Sequence, residues 1–138
     1  MRSEKDVEAY LGRLNRKFSQ ADAPPDHPGT TFLIHSGERF PPVALRVDPP
    51  LVVLRVHIGD VNAKSDGEIY RQLLQHNAKS LVHTSFGLEG DRIVLCSALE
   101  LENLDFNELE ATLDEIDVAL AQHVPGLVEL MKSHGKKD

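Results

Sequence analysis

Residues 73–106, LLQHNAKSLVHTSFGLEGDRIVLCSALELENLDF, change their apolar period twice. The stretch opens on the tail of a helical stripe, passes into two runs that alternate apolar and polar residues, and ends where a helical stripe resumes. Period two sets every second side chain on one face of a pleated strand, whereas a helix repeats every 3.6 residues. Helix, hairpin and helix must therefore follow one another without a break. Glu89-Gly90-Asp91 separates the alternating runs, a short glycine-containing loop of the kind that joins hairpin strands. Val82, Thr84, Phe86 and Leu88 are expected on one face, with Ile93, Leu95, Ser97 and Leu99 on the matching face of the partner strand.

The rest of the chain extends this alternation of periods. Val7, Tyr10, Leu11, Leu14 and Phe18 form one stripe of a first helix, which Ser3 and the acidic residues after it can cap. Residues 19–29, SQADAPPDHPG, read as a loop. TTFLIH (30–35), PVALRV (42–47) and LVVLRVHI (51–58) read as strands, and their short links favour an antiparallel meander. In the last of them Val52, Leu54, Val56 and Ile58 share one face, and Val53, Arg55 and His57 the other. Ser65 and Glu68 form a capping box for a second helix, and Asp105 and Glu108 a similar pattern for a third. Phe106, Leu109, Leu113, Ile116, Leu120 and Val124 carry the third helix to Pro125, which is expected to end or kink it. Residues 133–138 read as a frayed tail. The expected fold is α+β, in the order α-β-β-β-α-β-β-α, with helices packed on a five-stranded antiparallel sheet.

A chain of 138 residues fits one domain, 1–138, and can bury about two-thirds of its unfolded surface. Aromatic residues make up 5% and Trp is missing, so the core must be aliphatic. The formal net charge of −7 opposes phosphate backbones and anionic bilayers, so neither nucleic acid nor membrane is an expected partner. The single cysteine, Cys96, excludes an internal disulfide and a CxxC metal site. With no signal-peptide pattern at the start, the cytoplasm is the expected location.

Reactive groups are not gathered anywhere along the chain. Ser85, Ser97 and Asp60 lack a nucleophile-elbow context, and GLEGD is not a phosphate loop. Cys96 sits between apolar neighbours and is expected to pack as a small hydrophobe. The carboxylates of ELENLDFNELEATLDEID read as a solvated helical face. None of the seven histidines makes an HxH or HxxxH pair. His35, His57 and His83 are expected on the same side of the sheet, which leaves a small metal-dependent enzyme as a minor reading. The favoured expectation is no enzyme, no cofactor and no metal.

Several of these positions carry a resemblance. Leu73-Leu74 and Asn77, then a hairpin with Phe86, Leu88, Gly90, Ile93 and Leu95, then Leu99, Leu101 and Leu104-Asp105, resemble the class I type III secretion chaperones of the CesT-like group. LVVLRVHIGDV followed by LLQHNAKSLVHTSFGLEGDRIVL also resembles the YbjN family, which shares that fold and is grouped with sensory-transduction regulators. The proline-rich 19–29 loop and Pro125 have no counterpart in the chaperone pattern. The resemblance implies a bacterial homodimer that binds a client or regulatory polypeptide without chemistry. It implies a dimer contact through Ile69, Tyr70, Leu73, Leu74 and Asn77, unless these residues face their own sheet.

Physical patterning adds a second surface. If the first and third helices cover the sheet face of Leu54, Val56, Phe86 and Leu95, the opposite face shows Leu33, Val53, Val94, Cys96 and Ala98. That face is too apolar to be left wholly to water. Leu33, Val53, Val94 and Ala98 are the expected partner-binding residues, aided by strand addition at a sheet edge; the second helix or a partner subunit are the alternative covers.

Overall fold

A computed structural model describes residues 3–21, 30–35, 40–61 and 67–135, with side chains as far as 130. The elements are α1 (Glu4–Arg13), β1 (Phe18–Ala21), β2 (Thr31–Ile34), β3 (Val43–Asp48), β4 (Leu51–Asp60), α2 (Gly67–Lys79), β5 (Ser85–Glu89), β6 (Arg92–Glu100) and α3 (Phe106–Gly135). The strands form one six-stranded antiparallel sheet in the order β1-β2-β3-β4-β6-β5.

The fold class is the expected α+β, with one strand more than expected. Residues 18–21 were expected to continue the α1 stripe or to open a loop. Instead Asn15 adopts a positive φ of 56°, which ends the helix and turns the chain back. Phe18 then packs edge-on against Phe32, ring centroids 6.0 Å apart, and β1 pairs along β2. The local pattern could not reveal this, because it was β2 that needed a neighbour. Residues 22–29, and Ser65 of the expected capping box, lie outside the described residues.

Alternation along β4 and β6 sets the two faces. Val52, Leu54, Val56, Ile93, Leu95 and Ser97 point inward and are buried. The β4–β6 ladder runs from Leu51↔Glu100 to Asp60↔Arg92, with a register shift at His57/Gly59. Gly90, with a φ of +60°, is the first of two residues turning β5 into β6, as a type II′ hairpin requires. The inner face meets α1 through Val7 and Leu11, and α3 through Leu109, Leu113, Ile116 and Leu120. Arg16 ties the α1 end to α3, donating to Asp117 at 2.7 Å and Asp114 at 2.8 Å.

The helix termini follow their local chemistry. Ser3 N–H donates to the Asp6 carboxylate at 2.7 Å, and Glu108 N–H donates to the Asp105 carboxylate at 2.7 Å. Pro125 does not end α3, which runs on to Gly135, so the expected tail at 133–138 starts within the helix; residues 136–138 lie outside the described residues. Proline removes one donor from the helix ladder, but Leu127 is fully buried and anchors the turn beyond it. β5 starts later than expected: it begins at Ser85, leaving Val82 and Thr84 in the segment before it.

Leu95 is fully buried where β6 meets both β4 and β5. Leu95→Ala is expected to lower stability by about 2–5 kcal/mol, read as a lower urea midpoint at unchanged slope.

Candidate functional site

Two surfaces remain open once α1 and α3 have covered the inner face. The first is a groove between α2 and the edge strand β5, about 340 Å³, lined by Tyr70, Leu73, Leu74, Asn77, Phe86, Gly87 and Leu88. Of the residues expected at a dimer contact, Ile69 and Leu73 are buried in the chain's own core. They lie four apart on one helical stripe, and that stripe packs inward. Tyr70 and Leu74, about 100° further round the helix, stay at the surface. Leu74 is 69% exposed and Leu88 across the groove 48%.

Asn77 has a role inside the chain. Its side-chain NH₂ donates to the Phe86 carbonyl at 3.1 Å, and its amide oxygen accepts from the Phe86 N–H at 2.7 Å. The side chain thereby takes both outward backbone groups of β5 at Phe86. An incoming strand cannot pair there, so this edge is blunted in the way natural sheets protect their edges. At the same junction His76 stacks on His123 of α3, centroids 3.9 Å apart, with the Phe86 ring 6.1 Å from His76. Partial burial, then the facing His123, lower the His76 pKa.

The second surface is the outer face of the sheet. Leu33, Ala44 and Val53 are half-buried there, Leu51, Arg55, His57 and Ala98 are exposed, and a shallow groove joins Leu51, Val53, Arg55, Cys96 and Ala98 to the bend at residues 82–84. Register aligns Leu33 with Ala44, Ala44 with Arg55, and Arg55 with Cys96; one row along, Arg46 meets Val53 and Val53 meets Ala98. Val94 departs from the expectation, being only 6% exposed. The Arg55 guanidinium on β4 donates to Glu89 on β5 at 2.5 Å. Since Arg55 pairs with Cys96 and Glu89 with Arg92, that ion pair crosses β6 over Val94. Leu33, Val53 and Ala98 remain the offered positions.

Glu115 of α3 fixes the bend that flanks this face. Its carboxylate accepts from the N–H groups of Val82 and His83, both at 2.8 Å, and from the Thr84 hydroxyl at 2.7 Å. The result leaves Val82 82% exposed. Partial burial pushes the Glu115 carboxyl upward, but the Thr84 hydroxyl and the N–H groups of Val82, His83 and Thr84 outweigh it and hold the group below the ordinary carboxylate range. Sequence reasoning placed Glu115 among solvated carboxylates; nothing local marks it, because its partners lie some thirty residues away.

Among the described residues, the imidazole, thiol and carboxylate groups of the outer face do not converge on one point. His57 Nε2 lies 3.0 Å from Asp60, while the backbone of His83 is engaged by Glu115. Cys96 Sγ donates to the Ser85 carbonyl at 3.5 Å. Among the described residues no three His, Cys, Asp or Glu side chains are grouped to hold a metal ion, and no helix is long and apolar enough to cross a membrane.

Comparison with known proteins agrees with this architecture. The family model CesT_Tir_1 matches residues 1–133. A chain of the heterodimeric ExoU–SpcU complex from the type III secretion system of Pseudomonas aeruginosa superposes with a TM-score of 0.67 at 18% identity, covering 92% of this chain and 98% of that one. YbjN from E. coli superposes with a TM-score of 0.60 at 13% identity, covering 84% and 85%. At these identities the likeness is one of fold. Among curated proteins, no sequence matches the chain.

The Glu115 contacts predict an acid limb. Because its folded pKa lies below its unfolded value, its stabilisation is present above the unfolded value of about 4.3 and is lost as pH falls through the folded value. Glu115→Ala is expected to cost roughly 1–3 kcal/mol at pH 7. The gap to the parent should narrow towards pH 3, as read by urea unfolding across that range.

Proposed function

The chain belongs to the CesT_Tir_1 family, and from that membership we propose that it is a non-catalytic protein-binding domain, a homodimer that holds an extended segment of a client polypeptide. The observation that carries the reading is the pair of exposed leucines, Leu74 and Leu88, on either side of the α2–β5 groove. Large apolar side chains placed together at a surface mark a contact with another protein. The accessible surface of the chain is 8354 Å², so a standard interface of about 800 Å² per partner takes roughly a tenth of it.

Asn77 directs how the two copies meet. With the Phe86 backbone already engaged, the contact forms through side chains, Leu74 and Tyr70 of α2 against Leu88 and Gly87 of β5, and not through a continuous sheet. The outer face then remains for the client, over Leu33, Val53 and Ala98. The fold of the ExoU–SpcU chain, taken from a complex of unlike proteins, supports a protein partner.

A YbjN-type regulator, acting through protein contacts and with no secretion client, is the second reading; the fold likeness to YbjN supports it. The two differ in the partner they retain.

Light scattering is expected to give the mass of two chains for the parent and of one chain for Leu74→Glu. A parent that stays at one chain at tens of micromolar would remove the dimer. Affinity capture from the native cell, followed by mass spectrometry, identifies the partner; a secreted protein favours the chaperone and a signalling protein the regulator. Val53→Asp is expected to lose that partner while keeping the parent's circular dichroism and mass. Equal recovery with Val53→Asp would move the client off the outer face. Val94→Asp would test the fold instead, because Val94 lies under the Arg55–Glu89 pair.

A further inference from the structure

The outer face of a chain with net charge −7 carries two arginines set into its apolar middle. Arg46 on β3 pairs with Val53 on β4, and Arg55 stands two residues further along β4. Diagonal neighbours of this kind sit about 7–8 Å apart, so both long side chains can swing onto one carboxylate when it takes the place of their exposed partners, Asp48 for Arg46 and Glu89 for Arg55. Between them lies a small trough of about 110 Å³ with Thr31, Ala44 and Val53 in its lining. That is the liquid volume of about four waters, room for the end of one acidic side chain.

Neither arginine has used all of its hydrogen-bonding capacity. A guanidinium offers five N–H donors. Arg46 reaches Asp48 through Nη2 at 3.5 Å, the outer limit of a hydrogen bond, and Asp48 is itself largely exposed. The Nε of Arg46 is one of two buried side-chain polar atoms, among the described residues, with no hydrogen-bond partner. A buried donor left unpaired costs free energy, and turning the guanidinium so that Nε and Nη2 meet a carboxylate through two parallel bonds would pair it. Arg55 donates to Glu89 through Nη1 alone.

We infer that the partner segment presents an aspartate or glutamate whose carboxylate docks between Arg46 and Arg55. The inference rests on the protein-binding reading above and names the chemistry of its client. The neighbours of the trough set the rest of the motif. Leu33 on β2 and Ala98 on β6 each lie one strand beyond the arginines, about 4.8 Å further out on either side. An extended segment crossing the strands repeats a face every second residue, about 6.6–6.8 Å. With its acidic residue in the trough, the residues two before and two after fall over Leu33 and over Ala98. The recognised pattern is apolar–x–Asp/Glu–x–apolar.

The probe is a random twelve-residue peptide library displayed on phage and panned on the full chain. The expected result is enrichment of the acidic pattern. A synthetic peptide from the enriched set should lose at least tenfold in affinity by fluorescence anisotropy when its acid is replaced by the matching amide. The acid–amide difference should vanish in Arg46→Gln and Arg55→Gln, and persist in part in Arg46→Lys, which keeps the charge and loses the fork. Circular dichroism matched to the parent verifies the fold of each variant. An apolar consensus with no acid, or an acid preference unchanged in both glutamine variants, overturns the acidic anchor and leaves protein binding standing. No enriched peptide, combined with no protein retained from the native cell, overturns both.

Discussion

The pairing of β4 with β6 decides which side chains of the sheet meet the helices. From Val52 to Val56 and from Ile93 to Ser97 every second residue is buried, all but Ser97 aliphatic, and one common register brings Val56 beside Leu95 and Leu54 beside Ser97. A slip of one residue would turn all of them outward. Because burial of aliphatic surface is the main favourable term in folding, that register is strongly held. Helices α1 and α3 gather on the face it creates, and the other face stays open.

The same asymmetry explains why the described residues form open surfaces in which reactive groups are not gathered. With α1 and α3 on one side, the outer face is a shallow platform whose polar groups spread along strands, each with a local partner: Arg55 with Glu89, His57 with Asp60, Arg46 with Asp48. Convergence on a single reacting atom needs a concave wall, and the fold supplies only shallow grooves here. α2 lies beside β5 and against α3, where the His76–His123 stack and the Asn77 amide fix its place. One stripe of that helix is spent on the core, through Ile69 and Leu73, and the next stripe, with Leu74, stays exposed.

Much of this was legible in the residues. The period changes around 73–106 gave the hairpin and its flanking helices, and the parity of LVVLRVHI separated Val52, Leu54 and Val56 from Val53, Arg55 and His57 correctly. The parity that exposes Arg46 and Arg55 was visible in the same strands, although their adjacency was not, since it depends on how β3 and β4 register. Three features stayed hidden for one reason. β1 exists because β2 needed a neighbour, Val94 is covered by an ion pair from two other strands, and Glu115 serves a bend on the far side of the hairpin. Each is made by residues distant in sequence, and local periodicity contains no term for them.

The sequence by itself determined the fold class, the two faces of most strands, the aliphatic core and the likeness to a known family, because these follow from local periodicity and from the spacing of apolar positions along one chain. Tertiary structure alone decided which stripe of α2 is free, which outer residues reach solvent, and that the β5 edge is closed at Phe86. Those outcomes depend on long-range competition for the same surface, where a side chain such as Asn77 or Arg55 is captured by whichever group the completed sheet sets beside it.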